Sequence, residues 1–271
     1  NRGSGAPVVF GGGIGGLILV LILYFLGADP SVINNKNVNE TQENRYEETI
    51  SENQKELEDF LSVVLADTED MWHEKFFEYN LTYKEPSMTL YTKTTKSSCG
   101  IAQSGMGPFY CPLDEAIYID VSFYDELKNT FGAGGDFAFA YVLAHEVGHH
   151  VQNELGILNQ TQQLQKELSE KDYNKYSVAQ ELQADYFAGV YAYFSKENGY
   201  LEKGDIEEAR SWEVWGETRY WKKVSGLIKM GLTHGSSKDR KNAFDMGYKY
   251  HDIEHSMEFY KNLDYEIKIN I

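Results

Sequence analysis

The chain has 271 residues, 42% apolar and 14% aromatic, enough to fill one large domain or two small ones. A formal net charge of −17 excludes nucleic acid, whose phosphates need a basic face, and an electrostatic grip on anionic lipid.

Residues 1–6 read as a truncated flank, and residues 7–27, PVVFGGGIGGLILVLILYFLG, carry no charge. As a helix such a run spans about 30 Å, the thickness of the hydrocarbon core, and predicts a single-pass transmembrane anchor. It exceeds the roughly 7 to 15 apolar residues of a cleaved signal peptide. Gly11, Gly13 and Gly16 match a nucleotide-binding G-x-G-x-x-G only formally, without the strand-turn-helix context or the later acidic partner. The spacings Gly11/Gly15 and Gly12/Gly16 suit close helix pairing, so self-association through this segment is expected. Arg2 on one flank, against Asp29, Glu40 and Glu43 on the other, predicts a cytoplasmic N-terminus and an extracytoplasmic C-terminal domain at the cell membrane.

Residues 28–51, rich in Asn, Glu and Thr, read as a solvated tether. From 52 to 80 the pattern changes. Leu57, Phe60, Leu61, Val64, Leu65, Thr68, Met71, Trp72, Phe76 and Tyr79 recur at helical steps, predicting a long amphipathic helix on a domain of residues 52–271. His73, with acidic neighbours, reads as a surface residue.

Residues 88–93 and 116–121 alternate as strands do. The loop between them holds Cys99 and Cys111, separated by a turn-rich stretch with Gly100, Gly105, Gly107 and Pro108. Such a loop closes easily, so a Cys99–Cys111 disulfide is expected in an oxidising compartment. Ser122 can cap a helix SFYDELKNTF, and the glycine-rich turn 132–135 leads to Asp136, a candidate N-cap for the next helix.

That helix carries AYVLAHEVGHHVQ, residues 140–152. His145 and His149 are four residues apart, a rotation of about 40° and a rise of about 6 Å, so both rings reach one ion from one face. Glu146 is offset by one residue, placed to act as a general base without being a ligand. Gly148 costs about 1 kcal/mol against Ala inside a helix, which predicts that another element approaches the backbone there. His150 points about 100° away from His149 and reads as a core or surface contact.

Further helices are predicted over 160–171, 178–196 and 204–231, the last with Trp212, Trp215 and Trp221. A final helix, capped by Ser236 or Ser237, carries Arg240 and Phe244. His251 and His255, four apart in a Lys/Asp/Glu-rich tail, mimic a metal pair without an acid of suitable spacing.

A catalytic zinc needs three protein ligands and an open position. Gln152 and Leu155 stand where H-E-x-x-H-x-x-G-x-x-H needs its glycine and its third histidine, which excludes that class. The remaining option is a carboxylate on a later helix. Glu181 and Asp185 lie one turn apart among Leu182, Ala184, Tyr186 and Phe187, where two acids need a reason to exist. Glu181 would bind the metal, and Asp185 would accept the spare ring N–H of a ligand histidine.

These residues resemble the bacterial putative neutral zinc metallopeptidases of the gluzincin group. GPFYCPLDEAIYID, FGAGGDFAFAYVLAHEVGHHVQ, ELQADYFAGV and THGSSKDR carry the resemblance from about Cys99 onward, and the N-terminal anchor agrees with it. It implies a membrane-tethered, zinc-dependent peptidase with His145, His149 and Glu181 as ligands to Zn2+ and Glu146 as base. Tyr186 departs from the Cys that many relatives carry there. The expected architecture is mainly α with a small β-sheet (α+β), a zincin-like metallopeptidase domain behind a transmembrane helix. The expected activity is peptide-bond hydrolysis of a peptide or protein substrate. The oxyanion donor comes from His234, Arg240, Tyr248 or Tyr250, and His234, in a Gly-Ser turn, is preferred. The rival reading is a zincin-fold scaffold of the cell envelope without turnover; the intact Glu146 argues against it.

Overall fold

In the computed structural model the described residues are 40–103, 107–122, 136–201, 204–206, 235–269 and 271, with side chains from Lys55 onward except those of 136 and 138. The anchor at 7–27, the helix after Ser122, the tryptophan-bearing helix and His234 therefore lie outside the described residues. No helix among the described residues is long and apolar enough to cross a membrane. The chain divides into two units, Asn1–Glu52 and Asn53–Ile271, and the packing described concerns the second.

Helix α1, Glu40–Glu78, starts upstream of the expected position, so the second half of the stretch read as a tether is helical. Its Glu, Gln and Arg residues are good helix formers, and a helix already nucleated by packing extends through them at little cost. Leu57, Leu61, Val64, Thr68, Met71, Trp72 and Phe76 are buried, and Phe60, Leu65 and Tyr79, at the edge of the same face, are half-buried. Thr68 satisfies its hydroxyl locally by donating to the Leu65 carbonyl at 2.6 Å. Trp72 packs edge-on against Phe187, with ring centroids 5.1 Å apart.

The sheet has the order β1-β5-β4, with β1 (Ser87–Tyr91) parallel and β4 (Phe109–Cys111) antiparallel to the central β5 (Ala116–Asp120). Ala116 pairs with Ser87 on one side and Cys111 on the other. Both expected strands are present. A hairpin of β2 (Thr94–Ser97) and β3 (Gly100–Gln103), together with β4, occupies the loop expected between them. These strands are too short, at four, four and three residues, to show a period in sequence.

Cys99, in the hairpin turn between β2 and β3, is joined by a disulfide to Cys111 on β4. The sequence separation of 12 places its contribution at about 3 kcal/mol by the loop-entropy relation. We expect peptide mapping of unreduced protein to recover the Cys99–Cys111 pair, and Cys99→Ala to lower the unfolding free energy by about 2–3 kcal/mol. Two free thiols in protein from its native compartment would refute this.

Helix α2, Asp136–Glu154, opens at Asp136 itself and is followed after Gly156, at φ 75°, by α3, Ile157–Glu167. Ser169 then caps α4, Glu170–Glu197, by accepting from the Asp172 N–H. α3 runs from Ile157 to Glu167 rather than over 160–171, its first turn carrying the buried Ile157 and Leu158, and α4 begins earlier than expected because its polar first turn hides the helix start from an apolar-period search. Ser236 caps α5, Ser237–Tyr250, accepting from Asp239 N–H at 3.2 Å, and a 3-10 helix, Glu254–Tyr260, follows.

The three long helices of the core meet at glycines. A Cβ at Gly148 would lie 3.0 Å from the Ala184 Cα and carbonyl oxygen, so α4 is the element that approaches α2 there. Between α4 and α5 the contact is closer still: a Cβ at Gly247 would fall 1.8 Å from the Tyr186 oxygen, and one at Gly189 2.1 Å from the Phe244 oxygen. Only two backbones without side chains between them can cross so closely. Gly247→Ala is therefore expected to lower stability by about 1–3 kcal/mol through overpacking, despite a gain of about 1 kcal/mol in helix propensity. An unchanged or raised denaturant midpoint would contradict it.

Candidate metal centre

The α2–α4 crossing at Gly148 brings one face of each helix together within the same turn. His145 and His149 project from α2 and Glu181 from α4, and their ligand-type atoms lie within 4.8 Å of one another. His145 Nε2 is 3.5 Å from Glu181 Oε2, and His149 Nε2 is 3.7 Å from Glu181 Oε1. This is the one potential metal-holding group among the described residues. Two imidazoles and a carboxylate on two helices fit a tetrahedral zinc ion with a fourth position open.

Asp185, fully buried, lies one turn beyond Glu181 and 2.9 Å from His145 Nδ1. Tyr141, one turn before His145 on α2, donates its hydroxyl to the same Asp185 oxygen at 2.5 Å. Arg240 of α5 closes the cluster, donating from Nε to Asp185 Oδ2 at 2.7 Å and from Nη2 to Oδ1 at 2.8 Å. The glycine crossing of α4 and α5 is what lets Arg240 reach Asp185. Burial would raise the Asp185 carboxyl, but the Arg240 guanidinium and then His145 outweigh it and hold it at about 2.

Burial disfavours a charged His145 ring; Asp185 and Glu181 overcome this and raise it to about 10. The site thus calls for positive charge at His145 Nε2, which a divalent cation can supply in place of a proton. Glu146 is 6% exposed. Burial raises its carboxyl, against the pull of the His149 and His145 rings and a backbone hydrogen bond from Tyr110. A carboxyl balanced in this way can both take and release a proton.

His149 turns its Nδ1 to Gln152 Oε1 at 3.0 Å. His150 is fully buried, with Nδ1 2.9 Å from the Tyr110 hydroxyl and Nε2 2.6 Å from the Lys84 carbonyl, a core contact that ties α2 to β4. His73 sits at the surface, paired with Glu85 at 2.9 Å. His251 and His255 stack separately on Tyr193 and Tyr250, at 3.9 and 4.0 Å between centroids, and are no metal pair. Tyr186 donates to Asp252 at 3.0 Å.

Of the oxyanion-donor candidates, Arg240 is ruled out because its guanidinium is buried against Asp185. Tyr248 and Tyr250 lie eight and ten residues further along α5, about 12–15 Å along its axis. His234 lies outside the described residues, but its neighbour Gly235 faces Leu182 and Val178 of α4, beside Glu181.

Sequence reasoning did not find the partner of Asp185. Part of the signal was available, since an acid inside an apolar helix demands a cation, but Arg240 shares the first turn of the last helix with Lys238 and Lys241, and nothing local singles it out. Gln152 enters the sequence pattern only at the position where the longer motif has its glycine.

The model of the family described as "Putative neutral zinc metallopeptidase" matches residues 1–259. The chain is 41% identical over 275 residues to the uncharacterized protein YpfJ of Escherichia coli K12, covering 97% of this chain and 95% of that one. It is 39% identical over 183 residues to the uncharacterized protein Mb2605 of Mycobacterium bovis, covering 63% of this chain and 61% of that protein. No solved structure matches.

Proposed function

The chain belongs to the family described as "Putative neutral zinc metallopeptidase", and from that premise we propose a zinc-dependent endopeptidase, held in the cell membrane by residues 7–27, that hydrolyses peptide bonds. The observation that carries the reading is the convergence of His145, His149 and Glu181 with the buried Glu146 carboxyl beside them. The anchor and the extracytoplasmic side rest on the charge-free run at 7–27 and its flanks.

His145, His149 and Glu181 would hold a zinc ion, which would supply Lewis-acid chemistry towards a carbonyl and lower the pKa of water. Glu146 takes the proton of the attacking water and passes it to the leaving amine. Asp185 keeps the His145 Nδ1–H engaged, which leaves Nε2 for the ion. His234 is our choice of oxyanion donor, supported by its Gly-Ser setting and by the position of Gly235 against α4.

Metal analysis together with peptide digestion, with and without chelator, tests the reading. Wild type should carry one zinc per chain and lose its peptidase activity in chelator. Glu181→Ala should reduce zinc content, since it removes one of three protein bonds. Full occupancy in that variant would move the ligand role elsewhere. Zinc binding by wild type with no hydrolysis of any peptide would favour the scaffold reading.

A further inference from the structure

Gln152 and Gln183 are both fully buried, although a methionine or leucine of similar size would fill either position without a polar group to satisfy. We infer that these two amides are positioning residues: their hydrogen bonds run in one direction only and fix His149 as an Nε2 ligand. The inference rests on the metal-site reading above.

The direction starts at the Ile253 carbonyl, which can only accept. Ser256 Oγ donates to it at 2.6 Å, so that hydroxyl is left to accept from Gln183 Nε2 at 2.9 Å. Gln183 Oε1 then faces inward and accepts from Gln152 Nε2 and from the Tyr260 hydroxyl, each at 3.1 Å. Gln152 Nε2 also donates to the Gln180 carbonyl at 2.6 Å, a second group that can only accept. Turning the Gln152 amide over would set its oxygen against two acceptors at once. Its Oε1 therefore faces His149 Nδ1 at 3.0 Å and can only accept there. Nδ1 must carry the hydrogen, and the Nε2 lone pair is presented on the side of Glu181.

The two ligand histidines are thus held by different means. His145 has a charged arm, Asp185 backed by Arg240, whereas His149 has a neutral one that reaches the 3-10 helix through Ser256 and Tyr260. A carboxylate in place of the Gln152 amide would add a fourth acid to Glu146, Glu181 and Asp185 and face the Gln180 and Gln183 oxygens. A neutral acceptor holds the ring without that repulsion.

The test compares full-chain wild type with Gln152→Met, Gln183→Met and the control Tyr176→Phe, which removes hydrogen bonds to the backbone of Tyr265 elsewhere on α4. Zinc affinity is measured by chelator competition, and the cobalt-loaded protein is examined by proton NMR for the exchangeable imidazole N–H signals of the two ligands. Wild type should show two protected signals. Gln152→Met should raise the zinc Kd by about 10- to 100-fold and lose protection of one signal. Gln183→Met should raise Kd at least about threefold and perturb that same signal, and Tyr176→Phe should leave Kd and both signals unchanged while lowering stability. Wild-type affinity with both signals protected in Gln152→Met overturns the inference. Should circular dichroism show Gln152→Met unfolded, Gln183→Met decides: an unchanged Kd and unchanged signals overturn it. A wild type that takes up no zinc or cobalt overturns the metal-site reading itself, and this inference with it.

Discussion

Glu146→Gln is expected to leave zinc content at the wild-type level and to lower kcat for peptide hydrolysis by about 10²–10⁴, the contribution of a general base. The two side chains have the same shape. Gln can still accept the backbone hydrogen bond from Tyr110 that the carboxyl accepts, so the helix and the fold should not notice the change. What is lost is the ability to take a proton. His145 and His149 are untouched, which separates this variant from Glu181→Ala: the first keeps the ion and loses turnover, and the second loses the ion. Hydrolysis at the wild-type rate in zinc-loaded Glu146→Gln would sink the general-base assignment. Zinc loss from the same variant would show that Glu146 holds the site together instead.

How much of this centre the sequence disclosed depends on how local each signal is. His145 and His149 are legible because helical spacing alone places them on one face, and Gly148 because an interior glycine in a helix asks for a close neighbour. Glu181 and Asp185 are legible because acids on an apolar helix are costly without partners. Arg240 is 55 residues from Asp185, and the contact depends on Gly189 and Gly247 letting two backbones touch, which no period in either helix announces. The same holds for Gln183, whose partners Ser256 and Tyr260 lie on a 3-10 helix absent from the sequence reading. The early starts of α1 and α4 were missed for another reason. Their first turns are polar, and polar helix shows no apolar stripe.

Arg240→Met should be the most destabilising single change in the cluster, at about 3 kcal/mol near neutral pH. It leaves the buried Asp185 carboxylate with the His145 ring as its remaining cationic partner. The lower end of the range of about 3–5 kcal/mol for a broken buried pair applies, because Tyr141 and His145 still hydrogen-bond to Asp185. In wild type the Asp185 carboxyl is held at about 2, below its unfolded value of about 3.9. Its contribution to stability is therefore full above about pH 4 and lost as pH falls toward 2. In the variant only His145 and Tyr141 oppose burial, so the carboxyl rises from its wild-type value and the stability it contributes at neutral pH shrinks. The gap between the two proteins, read by urea unfolding in chelator, should be widest at neutral pH and narrow below pH 4. Asp185→Leu combined with Arg240→Met removes both charges and should restore most of the lost stability. It also deprives His145 Nδ1 of its acceptor, so zinc affinity in the double variant should remain about 10- to 100-fold below wild type. Wild-type stability of Arg240→Met at pH 7 would show that Asp185 does not need Arg240, and a double variant with wild-type zinc affinity would show that His145 needs no acceptor.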